Sequence, residues 1–93
     1  MNKGELIDAI VPVANVTKKE ADAILAALED TIMAEVSQGK KVSLVGFGSF
    51  ERRERQAREG RNPKTGEKMQ ISATRVPAFS PGKLFKEKVA PDE

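Results

Sequence analysis

Apolar residues recur with helical period twice near the start of the chain and then with the two-residue period of strands. Leu6, Ile7, Ile10, Val11 and Ala14 form one helical stripe, and Asn2 precedes Glu5 by three residues, the spacing of an N-cap and its reciprocal acceptor. A short first helix is predicted from about Lys3. Pro12 falls within it, where it would lose the bond to the Asp8 carbonyl and clash there at a cost of about 3 kcal/mol, so the helix is expected to stop or kink near Val11. Thr17-Lys18-Lys19-Glu20 is a capping box, followed on one face by Ala21, Ile24, Leu25, Leu28, Ile32 and Val36. This second helix is read as core and is predicted to end at Gln38-Gly39, where glycine can take the left-handed cap conformation.

From Lys41 to Val45 the period changes to two, with Val42 and Leu44 to one side, and Gly46-Phe47-Gly48-Ser49-Phe50 turns the chain into a second strand. Phe47 and Phe50 read as core aromatics that anchor this turn, not as stacking platforms for bases. Asn62-Pro63-Lys64-Thr65-Gly66 combines a turn-favouring asparagine, a fixed-φ proline and a permissive glycine, which predicts a hairpin tip. Extended chain from Arg52 to Pro63 spans roughly 35 Å, longer than a core-covering hairpin needs. The ribbon should project. On the return, Met69, Ile71 and Ala73 alternate with polar residues, and Val76-Pro77-Ala78-Phe79 re-enters the body, with proline favouring an edge position. Ser80 reads as the N-cap and Pro81 as the first residue of a last helix carrying Leu84, Phe85 and Val89, whose free amides suit a phosphate. Residues 90–93 are expected to fray.

Charge sharpens the picture. All six arginines lie between Arg52 and Arg75, where eight cations less three carboxylates give +5; the chain as a whole is only +2, so the remainder carries −3. The segment to residue 38 holds seven acids and three lysines, a poor surface for a polyanion except at its ends. A solvated charge run would serve as well with lysine, whereas arginine's planar fork suits phosphates and the narrow minor groove. The stretch therefore reads as a nucleic-acid-binding arm comprising residues 52–75, with Arg53, Arg55, Arg58, Arg61, Lys64 and Arg75 among its candidate contacts. The rest, residues 1–51 and 76–93, forms the body of a single domain.

Removing the arm leaves 69 of the 93 residues to build a core, a marginal size, and the absence of cysteine removes the option of disulfides. Oligomerisation is expected to close the core. With neither histidine nor cysteine, a structural zinc or haem site and the usual nucleophile–base pairs are not expected. Gly60 to Lys68 superficially resembles a phosphate-binding glycine loop, but five residues separate Gly60 from Gly66, Glu67 stands where the lysine belongs, and no buried strand precedes it. The expectation is a non-enzyme without a cofactor, metal or small-molecule substrate. No apolar run approaches the roughly 20 residues of a membrane span, and the N-terminus lacks a signal-peptide core, so a cytoplasmic protein is expected.

Taken together, Gly46-Phe47-Gly48-Ser49-Phe50, Gly60-Arg61-Asn62-Pro63-Lys64-Thr65-Gly66 and Pro81-Gly82-Lys83 resemble the bacterial histone-like HU and integration host factor family over nearly the whole chain. Pro12 departs from that pattern. Val76-Pro77-Ala78-Phe79 is closer to HU, whereas Pro81 is more like integration host factor. The resemblance implies an α+β fold: an intertwined homodimer with a helical base, a β-sheet body and two long protruding β-hairpin arms around duplex DNA. It also implies that Pro63 wedges between base pairs on the minor-groove side, a behaviour known for HU and integration host factor. Arg55, Arg58, Arg61, Asn62 and Lys64 would then meet minor-groove acceptors and phosphates, with Lys3, Lys83 and Lys86 on flanking phosphates. The function implied is DNA bending and condensation in the bacterial nucleoid with little sequence preference. The alternatives are a site-specific bender of the integration host factor kind and a structural RNA- or polyanion-binding module.

Overall fold

The structure, a computed structural model, describes residues 1–90; Pro91, Asp92 and Glu93 of the expected frayed end lie outside the described residues. The fold is α+β, in the order α1 (Lys3–Ala14), α2 (Lys18–Ser37), β1 (Val42–Leu44), β2 (Gly48–Arg55), β3 (Arg58–Arg61), β4 (Lys68–Ile71), β5 (Thr74–Pro81) and α3 (Lys83–Val89). It comprises two compact units, one from Met1 to Ala34 and one from Glu35 onward.

In the first unit both helix starts follow the sequence. The Asn2 side chain accepts from the Glu5 amide at 2.9 Å, and Thr17 Oγ1 accepts from the Glu20 amide at 3.1 Å while Glu20 Oε1 accepts from the Thr17 amide at 3.0 Å. Bonds from the Thr17 backbone and then its side chain hold the Glu20 carboxyl below its ordinary value. Of the expected stop or kink near Val11, the stop is corrected: the helix continues through Pro12 to Ala14. Pro12 therefore lies inside the helix, where the Asp8 carbonyl receives no amide hydrogen from residue 12. That end is closed by Asn15 in the left-handed conformation (φ 57°), whose amide donates to the Val11 carbonyl. Lys3–Glu29 and Lys18–Asp8 ion pairs, each 3.1 Å, link α1 to α2.

The apolar stripe of α2 is only partly covered. Among the described residues, Ala21 and Val36 are the buried hydrophobic side chains, whereas Ile24 is 62% and Leu28 46% exposed. Reading this stripe simply as core is therefore too simple, because one chain leaves part of it open. The helix ends as expected from Gln38-Gly39: the Gly39 amide donates to Val36 and the Lys40 amide to Glu35, the crossed pair of a Schellman cap.

In the second unit β1, β2 and β5 form an antiparallel sheet in that order, so Pro77 lies on an edge strand as expected. The turn between β1 and β2 is closed by the Phe47 amide on the Leu44 carbonyl at 3.0 Å. Gly48 has φ 154°, and a Cβ there would lie 2.6 Å from the Phe79 ring, so both backbone and packing require glycine. At this turn the four phenylalanines of the chain pack ring to ring, with Phe50–Phe79 centroids 4.9 Å apart and Phe47 5.6 Å from both Phe79 and Phe85. These rings anchor the turn, but Phe47 remains 47% exposed within one chain.

The start of α3 is corrected. Its N-cap is Gly82, without a side-chain cap bond, while Ser80 and Pro81 complete β5 opposite Ser49 and Gly48. The β1–β2 turn holds this junction: the Gly82 amide donates to the Phe47 carbonyl at 2.8 Å and the Phe85 amide to Gly46 at 3.2 Å. Two of the amides at this helix start are thereby engaged within the chain.

Candidate nucleic-acid interface

The ribbon begins inside the sheet. β2 pairs with β5 from Gly48↔Pro81 to Arg55↔Thr74, and β3 pairs with β4 from Arg58↔Ile71 to Arg61↔Lys68. Two residues on each strand, Gln56-Ala57 and Ser72-Ala73, intervene without strand pairing. Because the gap is equal on both sides, the register passes through it without a bulge. The ribbon expected as one continuous arm thus has a base ladder and a separate outer ladder.

The outer ladder closes on the proline turn. The Asn62 amide donates to the Glu67 carbonyl at 2.9 Å and the Gly66 amide to Asn62 at 2.7 Å, which leaves residues 63–66 as the loop. Asn62 Oδ1 accepts from the Lys64 amide at 2.9 Å, an Asx turn that brackets Pro63, and Gly66 supplies the positive φ of 73°. Pro63 has no amide hydrogen to leave unpaired and is exposed at this tip. Within the outer ladder Gly60 makes room for its neighbour: a Cβ there would lie 2.7 Å from Ile71 Cδ1.

Charge divides along the same line. At the base, Arg53 is held by Glu51 at 3.2 Å and also donates to Ser80 Oγ at 3.2 Å; Arg75 and Arg52 each lie 3.4 Å from Glu54. Arg55, in the last pair of the base ladder, and Arg58, Arg61 and Lys64 beyond it make no ion pair among the described residues. All four are exposed, so no carboxylate among the described residues competes with a phosphate for them. Of the body candidates, Lys3 lies in the first unit and is paired with Glu29, Lys83 is 3.9 Å from Glu87, and Lys86 in α3 has no ion pair among the described residues.

Reading the sequence as a charge count missed a division of labour among the arginines. Arg52 donates to the Ser37 carbonyl at 3.2 Å and so closes the C-terminal end of α2, a structural task. It also missed Glu51 and Glu54 as partners. The signal was present in part: Glu51 with Arg53, and Arg52 with Glu54, are two apart on a strand and so share a face. The Glu54–Arg75 pair needs the cross-strand register, which no local spacing reveals.

A small antiparallel sheet that runs out into a basic, proline-tipped ribbon, in a chain with a capped helical hairpin, defines the class of β-arm DNA-binding proteins. The chain belongs to the bacterial DNA-binding protein family, whose profile matches residues 1–90. It is 72% identical over 91 residues to the DNA-binding protein HU of Nostoc sp., covering 98% of this chain and 97% of that one. Identity to the DNA-binding protein HU of Geobacillus stearothermophilus is 52%, over 96% and 99% of the two chains. Among solved structures, an Anabaena HU–DNA cocrystal structure matches with a TM-score of 0.92 at 72% identity, covering 98% of this chain and 99% of that one. HU from Thermotoga maritima matches with a TM-score of 0.68 at 38% identity, over 96% and 98%.

Proposed function

We propose that the chain is a non-enzymatic architectural protein that binds duplex DNA with little sequence preference and bends it. The observation that carries this reading is the tip: an exposed proline, bracketed by an Asx turn, beside Arg58, Arg61 and Lys64, which have no ion pair among the described residues. Such a tip has cations free for phosphates and a flat apolar ring free for a base step. The minor groove, with its degenerate pattern of acceptors, supports recognition by shape and charge rather than by sequence. The similarity to an Anabaena HU–DNA cocrystal structure supports duplex DNA as the ligand.

In this reading residues 52–75 are the DNA-binding arm, and residues 1–51 with 76–93 are the dimerisation body. Pro63 intercalates; Arg55, Arg58, Arg61, Asn62 and Lys64 line the groove; Arg53, Arg75, Lys3, Lys83 and Lys86 serve flanking phosphates. The second copy of the chain covers the open part of the α2 stripe and the half-exposed phenylalanines, which one chain leaves to water at a cost of about 25 cal/mol per Å². The protein then acts in the cytoplasm on the nucleoid, compacting DNA by repeated bends.

Competition at one salt concentration among random duplex, an A-tract duplex, nicked duplex and structured RNA tests the reading. Random and A-tract duplexes should compete within about tenfold of each other, since specific sites typically exceed non-specific ones by about 10³ or more. Nicked duplex should compete best, because a nick lowers the cost of bending. Preference for one sequence by about a thousandfold, or for RNA over all duplexes, would overturn it.

A further inference from the structure

We infer that Glu54 and Glu51 are internal counter-ions that withhold the base arginines from DNA, so that Arg75 and Arg53 reach a phosphate only by exchanging a carboxylate for it. The inference rests on the DNA-binding reading above. Arg75 lies directly opposite Glu54 in the β2–β5 ladder, and its Nε is 3.4 Å from Glu54 Oε2. The other carboxylate oxygen, Oε1, is 3.4 Å from Arg52 Nε. Arg52 is itself tied to the Ser37 carbonyl, so one oxygen of Glu54 is held and the second stays aimed at Arg75. Glu51 Oε1 likewise accepts from both Nε and a terminal nitrogen of Arg53 at 3.2 Å.

The Arg75–Glu54 pair is open to water, 66% and 62% exposed, so a phosphate can displace that carboxylate at modest cost; in the second pair Arg53 is exposed and Glu51 half-buried. The other two acids of the ribbon differ. Glu59 and Glu67 make no ion pair among the described residues, although they lie closer to the tip and carry the same charge. Two kinds of glutamate thus share one ribbon, and only the partnered kind controls how many arginines are available. Cations of the outer ladder engage first, and those of the base join only where the duplex approaches closely enough for its phosphates to compete.

Glu59 supplies the matched control for net charge. Affinity of the full chain for a short duplex is measured between about 50 and 200 mM salt. Glu54→Gln should tighten binding roughly two- to fivefold more than Glu59→Gln, the scale of one exposed ion pair. It should also steepen the salt dependence by about 0.9 in log–log slope, one added phosphate contact. In an Arg75→Gln background Glu54→Gln should do no more than Glu59→Gln. Equal effects of the two single substitutions, or a gain that survives the loss of Arg75, would overturn the counter-ion role. Should Glu54→Gln fail to fold, Glu51→Gln with and without Arg53→Gln tests the same claim on the other pair. A wild-type chain that does not bind duplex at all refutes the functional reading instead, so the two failures are distinguishable.

Discussion

The base and outer ladders of the ribbon share one register, but the chain treats them in opposite ways. The base has eight residue pairs, the first three of them flanked by β1, and its Arg52, Arg53 and Arg75 are bonded to Glu51, Glu54, Ser80 and the end of α2, whereas Arg55 in its last pair has no ion pair among the described residues. Four residue pairs make the outer ladder, and its cations have no carboxylate partner among the described residues. The same residue type is structural in one place and left free in the other. An acid two residues away does not decide the role by itself, since Glu59 and Arg61 on β3 are spaced like Glu51 and Arg53 yet make no ion pair among the described residues.

The largest effect expected from this contrast is on DNA affinity. Arg58→Gln together with Arg61→Gln should flatten the log–log salt dependence by about 1.8 and weaken binding by an order of magnitude or more, since each phosphate contact contributes about 0.9. Arg52→Gln should leave that slope unchanged. A slope equally flattened by Arg52→Gln would erase the distinction between base and outer arginines.

Stability should show the reverse pattern. Arg52→Ala is expected to cost about 1–2 kcal/mol in denaturant unfolding, because it removes a charge-assisted bond to the α2 terminus and one partner of Glu54. Arg58→Ala should change stability by less than about 0.5 kcal/mol, as for other surface positions. In both variants the thermal midpoint should rise with protein concentration, because folding is coupled to pairing of two chains. A midpoint unchanged across about a hundredfold dilution would contradict that coupling.

Proteolysis offers a finer division. An isolated two-stranded ribbon is at best marginally stable in water, so trypsin should cut the free protein first after Arg55, Arg58, Arg61 or Lys64, while Arg52 and Arg53, bonded to Ser37, Glu51 and Ser80, resist. Duplex DNA should protect the outer sites. Equal cutting of both groups would mean that the two ladders do not differ in stability.

The smallest effect concerns pH and lies outside the ribbon. The Glu20 carboxyl is lowered by its bonds to Thr17, so its ionised form favours the fold above the unfolded carboxylate range, and this contribution is lost as pH falls through the folded value. The difference in thermal midpoint between wild type and Glu20→Gln should therefore shrink on acidification below the usual carboxylate range. A difference that stays constant would assign the effect to something other than ionisation.

Much of the architecture was legible because its signals are local. The Asn2 and Thr17 capping boxes, the Gly39 cap, the glycine turn at Gly46–Gly48 and the proline tip each depend on residues within a few positions of one another. What the sequence misplaced depends on distant partners. Pro12 is a separate case: it read as a helix stop or kink, and α1 runs on to Ala14. Ser80 and Pro81 read as a helix start because the ladder to Ser49 and Gly48 keeps them extended, and that ladder forms across the whole ribbon. The candidate arginines were equally hard to separate. Their count was plain, yet which ones carry acids depends on the opposition of Glu54 and Arg75, 21 residues apart.

The role proposed for Pro63 is that of a wedge and not merely of a turn former. Energy transfer between dyes at the two ends of a short intact duplex reads the bend directly, with wild type and Pro63→Ala compared at saturating protein. A wedge predicts that the alanine variant, still holding phosphates through Arg58 and Arg61, loses most of the rise in transfer on intact duplex and retains binding to nicked duplex. Unchanged transfer efficiency with Pro63→Ala at saturation would contradict the wedge and leave the ribbon as a passive clamp.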